Sequence, residues 1–109
     1  MIKRIKDYLT IEEITELNKI YKFVETWLTE SETDTFEATY LRNVKESVFL
    51  LLNGYDNGES ADLDHLILDL YSNIHTSLLF YTQKNKSRVD RLQRHYYNII
   101  KLYNRIIGS

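Results

Sequence analysis

Ser87-Arg88-Val89-Asp90-Arg91-Leu92-Gln93-Arg94-His95-Tyr96-Tyr97-Asn98-Ile99-Ile100-Lys101-Leu102-Tyr103-Asn104-Arg105-Ile106-Ile107-Gly108 is written in one period. Val89, Leu92, Tyr96, Ile99 and Tyr103 recur at spacings of three and four, so at roughly 100° per residue they share one side of a helix. Lys84, Arg88, Arg91, Arg94, His95, Lys101 and Arg105 are assigned to the opposite arc. One side of this helix reads as core and the other as a basic stripe. A helix with a single apolar side needs partners, and the rest of the chain supplies them.

Thr10-Ile11-Glu12-Glu13 fits a capping box, in which the Thr hydroxyl accepts from the backbone three residues on and the Glu carboxylate reaches back. Ile14, Leu17, Tyr21, Val24 and Leu28 then predict a helix over about 11–29, its apolar face widened by Phe23 and Trp27. After the polar turn at 29–33, Phe36, Tyr40, Val44, Val48 and Leu51 predict a second helix over about 34–53, closed by Asn53-Gly54. Ser60 caps a third, in which Leu63, Leu66, Ile67, Leu70, Tyr71, Ile74, Leu78 and Tyr81 run to about residue 83. Ser87 opens the fourth with another cap-like box. Short connections force neighbours to run in opposite directions, so the fold class is all-α, an antiparallel four-helix bundle forming one domain over residues 1–109. Ile2, Ile5, Tyr8 and Leu9 predict a short extra helix across one end.

The chain of 109 residues has no Pro, 3 Gly and 43% hydrophobic residues, which excludes collagen-like, linker-like and disordered classes. Cys is absent, removing disulfides, thiolate metal sites and Cys nucleophiles, and this fits a reducing compartment. The basic N-terminal residues are not followed by an apolar region of signal length, so a cytoplasmic location and no membrane contact are expected. The net charge is −2, yet residues 84–109 alone carry +6, so an acidic body and a basic last segment are separate in sequence. Heavy use of Ile, Lys, Asn, Leu and 9 Tyr is the coding bias of an AT-rich bacterium, phage or mobile element.

The basic stripe admits two readings. It is a surface for phosphates or an acidic protein, with Tyr97 at its edge as a stacking group, or it is a solvated outer face partly paired with acidic neighbours. Six residues separate Arg88 from His95 near the start of a helix in an all-α chain. That spacing resembles the Arg-x(4–6)-His motif of the HEPN ribonucleases, although Val89 stands where that family places a polar residue. The resemblance implies His95 as general acid or base and Arg88 as stabiliser of the phosphorane charge. Asp62, His65 and Asp69 share an outer helix face, but three exposed ligands without supporting groups read as a solvated face, so neither metal nor cofactor is expected. His75 is expected to be half-buried. Phosphate loops, nucleophile elbows and His-Glu-x-x-His pairs are missing from the sequence.

Two runs break the amphipathic rule. Val48-Phe49-Leu50-Leu51-Leu52 and Leu78-Leu79-Phe80-Tyr81 are apolar through a full turn, which requires cover on every side. Cover comes from the N-terminal segment, from an irregular bundle interior, or from another chain meeting Phe49, Leu50, Leu79 and Phe80. By elimination the leading reading is a non-enzymatic protein–protein interaction module, an inhibitor, adaptor or regulator, with a homodimer as one form of partnership. The alternative is a nucleic-acid-binding protein using the basic stripe.

Overall fold

The computed structural model describes residues 3–30, 38–56, 61–81 and 86–108. Its four helices are α1 (Ile11–Glu30), α2 (Ala38–Asn53), α3 (Ala61–Tyr81) and α4 (Lys86–Ile106). The capping box forms as the sequence requires: Glu13 N–H donates to Thr10 Oγ1 at 3.1 Å, and Thr10 N–H donates to Glu13 Oε1 at 2.8 Å. The expected starts at Ser60 and at residues 34–37, and the first half of the expected turn at 84–87, lie outside the described residues. Lys86 is already helical, which puts Ser87 inside α4 instead of at its cap.

Side-chain pairs fix the up-and-down order. Lys45 of α2 meets Glu25 of α1, Phe80 near the end of α3 stacks on Tyr40 near the start of α2, and Arg105 near the end of α4 reaches Glu13 near the start of α1. Each helix therefore runs antiparallel to the next, and α4 returns beside α1 to close the bundle. The backbones approach least closely along that closing α1–α4 seam. Leu17, Ile20 and Val24 meet Leu41, Val44, Val48 and Leu51, Ile67, Leu70 and Ile74, and Leu92 and Ile99 in the fully buried centre. In α4 the buried line also takes in Leu102, while Tyr96 and Tyr103 sit half-buried at the α3 edge against Tyr71.

The N-terminal segment keeps the expected short helix only over Ile5–Tyr8, and a short strand precedes it. Lys3–Arg4 (β1) pairs antiparallel with Tyr55–Asp56 (β2), and one 3-10 turn over Ile5–Tyr8 follows. Ile5 is the reason: its side chain is buried, and its N–H donates to the Gly54 carbonyl at 3.1 Å. Gly54 must approach closely there. A Cβ on it would stand 2.5 Å from the Leu50 carbonyl oxygen and 3.1 Å from Ile5 Cδ1. Gly54→Ala is thus expected to cost about 1–3 kcal/mol, the range of overpacked sites, read as a lowered urea midpoint at unchanged slope.

Candidate functional site

The basic stripe of α4 does not stand as one surface. Arg88 donates to Glu30 at 2.6 Å and lies 5.6 Å from the Trp27 ring centroid, and His95 Nδ1 meets Glu16 Oε1 at 2.5 Å beside Phe23. An ionised carboxylate only accepts, so with Glu16 ionised Nδ1 is the donor. Arg105 grips Glu13 with two parallel bonds and donates a third to the Tyr8 carbonyl at 3.0 Å. These three side chains turn toward α1 and close the loosest seam of the bundle. Arg91, Arg94 and Lys101 remain exposed, and Lys84 lies outside the described residues.

Arg88 and His95 are seven residues apart on α4, and the glutamates holding them are fourteen apart on α1, about 20 Å along a helix at 1.5 Å per residue. Each is drawn to its own acid. The convergence on one phosphate that the ribonuclease resemblance implies is not formed in this arrangement.

Glu13 serves the cap and Arg105 together. Burial alone pushes its carboxyl upward, but the Arg105 guanidinium and the Thr10 N–H outweigh that and hold it below the usual carboxylate range, while the Glu13 bonds raise Arg105. A carboxyl held lower in the folded chain contributes stability above its unfolded value, about 4.3 for Glu, and loses it as pH falls through the folded value. Glu13→Gln keeps a capping oxygen and removes the charge. With Arg105 more than a third exposed, the variant is expected to be less stable at pH 7 by about 1 kcal/mol, a gap that closes below about pH 4. Urea midpoints across that range measure it.

The opposite side of the bundle is built differently. α2 and α3 carry three Asp, Glu, Lys or Arg residues each, against seven each on α1 and α4. Phe49, Leu50, Leu79 and Phe80 are all exposed, Leu79 by 67%. Ile5 reaches the Leu50 end beside Gly54, Tyr55 and Leu66, yet leaves Leu50 39% exposed, so the N-terminal segment covers that patch only in part. The two runs sit at opposite ends of the α2–α3 pair, as antiparallel neighbours must. Leu50 and Phe80 nevertheless belong to one face. Leu50 lines a groove with Leu66, Asn43 and Asn73, and Phe80 stacks on Tyr40 ten residues, about 15 Å, further along α2. Between them Asn43 donates to Asn73 at 3.4 Å, and Glu46 and Asp69 line the same groove.

His65 pairs with Asp69 at 3.3 Å, the Asp62 side chain lies outside the described residues, and among the described residues no three His, Asp or Glu groups converge as metal ligands. His75 is exposed, where the sequence predicts it half-buried, because the Tyr96 hydroxyl holds it at 3.2 Å on the outer α3–α4 edge. Burial first and then the Tyr71 hydroxyl raise Tyr96 to about 12, so it stays protonated at any physiological pH. No helix among the described residues is long and apolar enough to cross a membrane. Comparison with protein-family models, with curated proteins and with solved structures finds no match to this chain.

Proposed function

We propose that this chain is a non-catalytic interaction module that acts by occupying a protein surface, as inhibitors, adaptors and regulators do, through its α2–α3 face. One observation carries the reading: Leu50 and Phe80 stand exposed at the two ends of one weakly charged face, with Phe49 and Leu79 as sequence neighbours. Interface centres are depleted in charge, and the other half of this bundle carries more than twice as many charged residues. The reading places the chain in a reducing cytoplasm, consistent with its lack of Cys.

The partner for which the geometry argues is a second copy. A twofold axis across the middle of the face, with the long axes antiparallel, lays Leu50 of one copy toward Phe80 of the other and repeats the contact by symmetry. The molecular envelope of 45 × 25 × 21 Å leaves room for the about 800 Å² per partner that a stable interface buries. Each exposed Leu or Phe that is covered contributes roughly 1.5–3 kcal/mol, against the entropic cost of association. Sedimentation equilibrium from about 1 μM to 1 mM tests this by mass action. The apparent mass is expected to rise from one chain to two, and a single-chain mass at the highest concentration rejects the pairing.

A further inference from the structure

The charged half of the molecule carries a separate surface. Lys19, Lys22, Phe23, Thr26, Arg91 and His95 line an open cleft of about 330 Å³ between α1 and α4. The glutamates of the seam are engaged at its two ends, Glu16 with His95 and Glu30 with Arg88. Lys19, Lys22 and Arg91 form no ion pair with any described residue. Three cations thus face one opening, whose acid Glu16 is engaged by His95. The Arg91 guanidinium lies 4.7 Å from the centroid of the buried Phe23 ring, so its planar donors are oriented before any ligand arrives.

From Arg91 the surface continues along an i, i+3 row of α4 to Arg94 and then Tyr97, a residue 57% exposed. Gln93 and Asp90 flank that row, and Asp90 does not pair with Arg94. The sequence alone hides this arrangement, because half of the cations come from α1, inside the acidic part of the chain.

We propose that this cleft binds single-stranded nucleic acid, with Lys19, Lys22, Arg91 and Arg94 on successive phosphates and Tyr97 stacked on a base. Cations spread along an open cleft suit a chain of phosphates, whereas one small phosphate ligand is held best by converging, enclosed donors. An outward aromatic ring beside them selects a strand whose bases are unstacked, and a duplex offers none. A phosphopeptide supplies the charge but no base for Tyr97. The net charge of −2 gives little long-range attraction, so binding depends on these local contacts and on salt. The surface is on the side away from α2–α3, which leaves the pairing face free.

The test is fluorescence anisotropy of a labelled oligothymidylate of about 15 nucleotides with the full chain. Four phosphate contacts on a single strand give a slope of about −3 in log affinity against log salt, or about a 50-fold loss between roughly 50 and 200 mM. The double variant Lys22→Glu, Arg91→Glu is expected to lose at least about tenfold, and Tyr97→Ala about tenfold. Lys101→Glu, an equal change at an exposed α4 position outside the cleft, is expected to stay within about twofold. Circular dichroism checks that each variant keeps its helicity. Absence of binding by the wild type at low salt overturns the proposal. So do losses of equal size per charge in the cleft and at Lys101, an unaffected Tyr97→Ala, or a phosphoserine peptide bound as tightly as the strand.

Discussion

Trp27→Ala is expected to lower unfolding stability by about 3–5 kcal/mol, the range for truncating a buried aromatic. Trp27 is 2% exposed and joins three helices: Phe23 on its own helix at 5.8 Å, Tyr81 of α3 at 4.8 Å, and Arg88 of α4 over its face. Truncation leaves a void at the end of the α1–α4 seam, where backbone contact is already sparse and relaxation has few neighbours to recruit. It also removes the surface that positions Arg88 toward Glu30. Domains of this size hold roughly 5–15 kcal/mol in total, so the variant should melt some 20 °C lower. Thermal and urea unfolding followed by circular dichroism measure it, and a loss below about 1 kcal/mol would show that Trp27 is not a keystone of the packing.

Leu50→Glu is expected to weaken self-association by more than about 100-fold while leaving the monomer folded. A twofold interface applies every change twice. At each site the variant forfeits the burial of one leucine and places a carboxylate in an apolar contact without a partner, where charge carries its full desolvation cost. Leu50 is already 39% exposed in the single chain, so the new carboxylate stays hydrated in the monomer. Phe80→Glu tests the other end of the face and is expected to act alike. Sedimentation of both variants beside the wild type reads the result, with circular dichroism to verify the fold. A variant that dimerises as well as the wild type would remove the face from the account.

The helices are legible in the sequence because their signals are local. The Thr10 to Glu13 box, the Gly54 stop and three-four spacing act within a turn or two of the residues that show them. The N-terminal pairing of Lys3–Arg4 with Tyr55–Asp56 is not legible, since a two-residue strand has no period and its partner is about fifty residues away. The division of the α4 stripe is also tertiary. Arg88, His95 and Arg105 differ from Arg94 and Lys101 only in which flank of the helix they occupy, and the choice is made by Glu30, Glu16 and Glu13 on a helix distant in sequence. Those acids at the two ends of the first helix, with lysines between them, are the signal that would have separated ion-pairing cations from unpaired ones. The exposed Phe49, Leu50, Leu79 and Phe80 were visible as runs too apolar for one face, although only the packing shows that Leu50 and Phe80 share a side.

A single introduced cysteine reports whether the α2–α3 face meets its own copy. The chain has no Cys, so every thiol adduct reports the introduced position alone. Glu46 is exposed and lines the middle of the face with Asn43 and Leu50, whereas Lys22 lies on the α1–α4 side. A twofold axis through the face brings two copies of residue 46 together, and thiol coupling requires that proximity. Under a short bismaleimide, Glu46→Cys is expected to run as a covalent dimer and Lys22→Cys as a single chain; Glu46→Cys remaining single, or both coupling equally, would contradict the account.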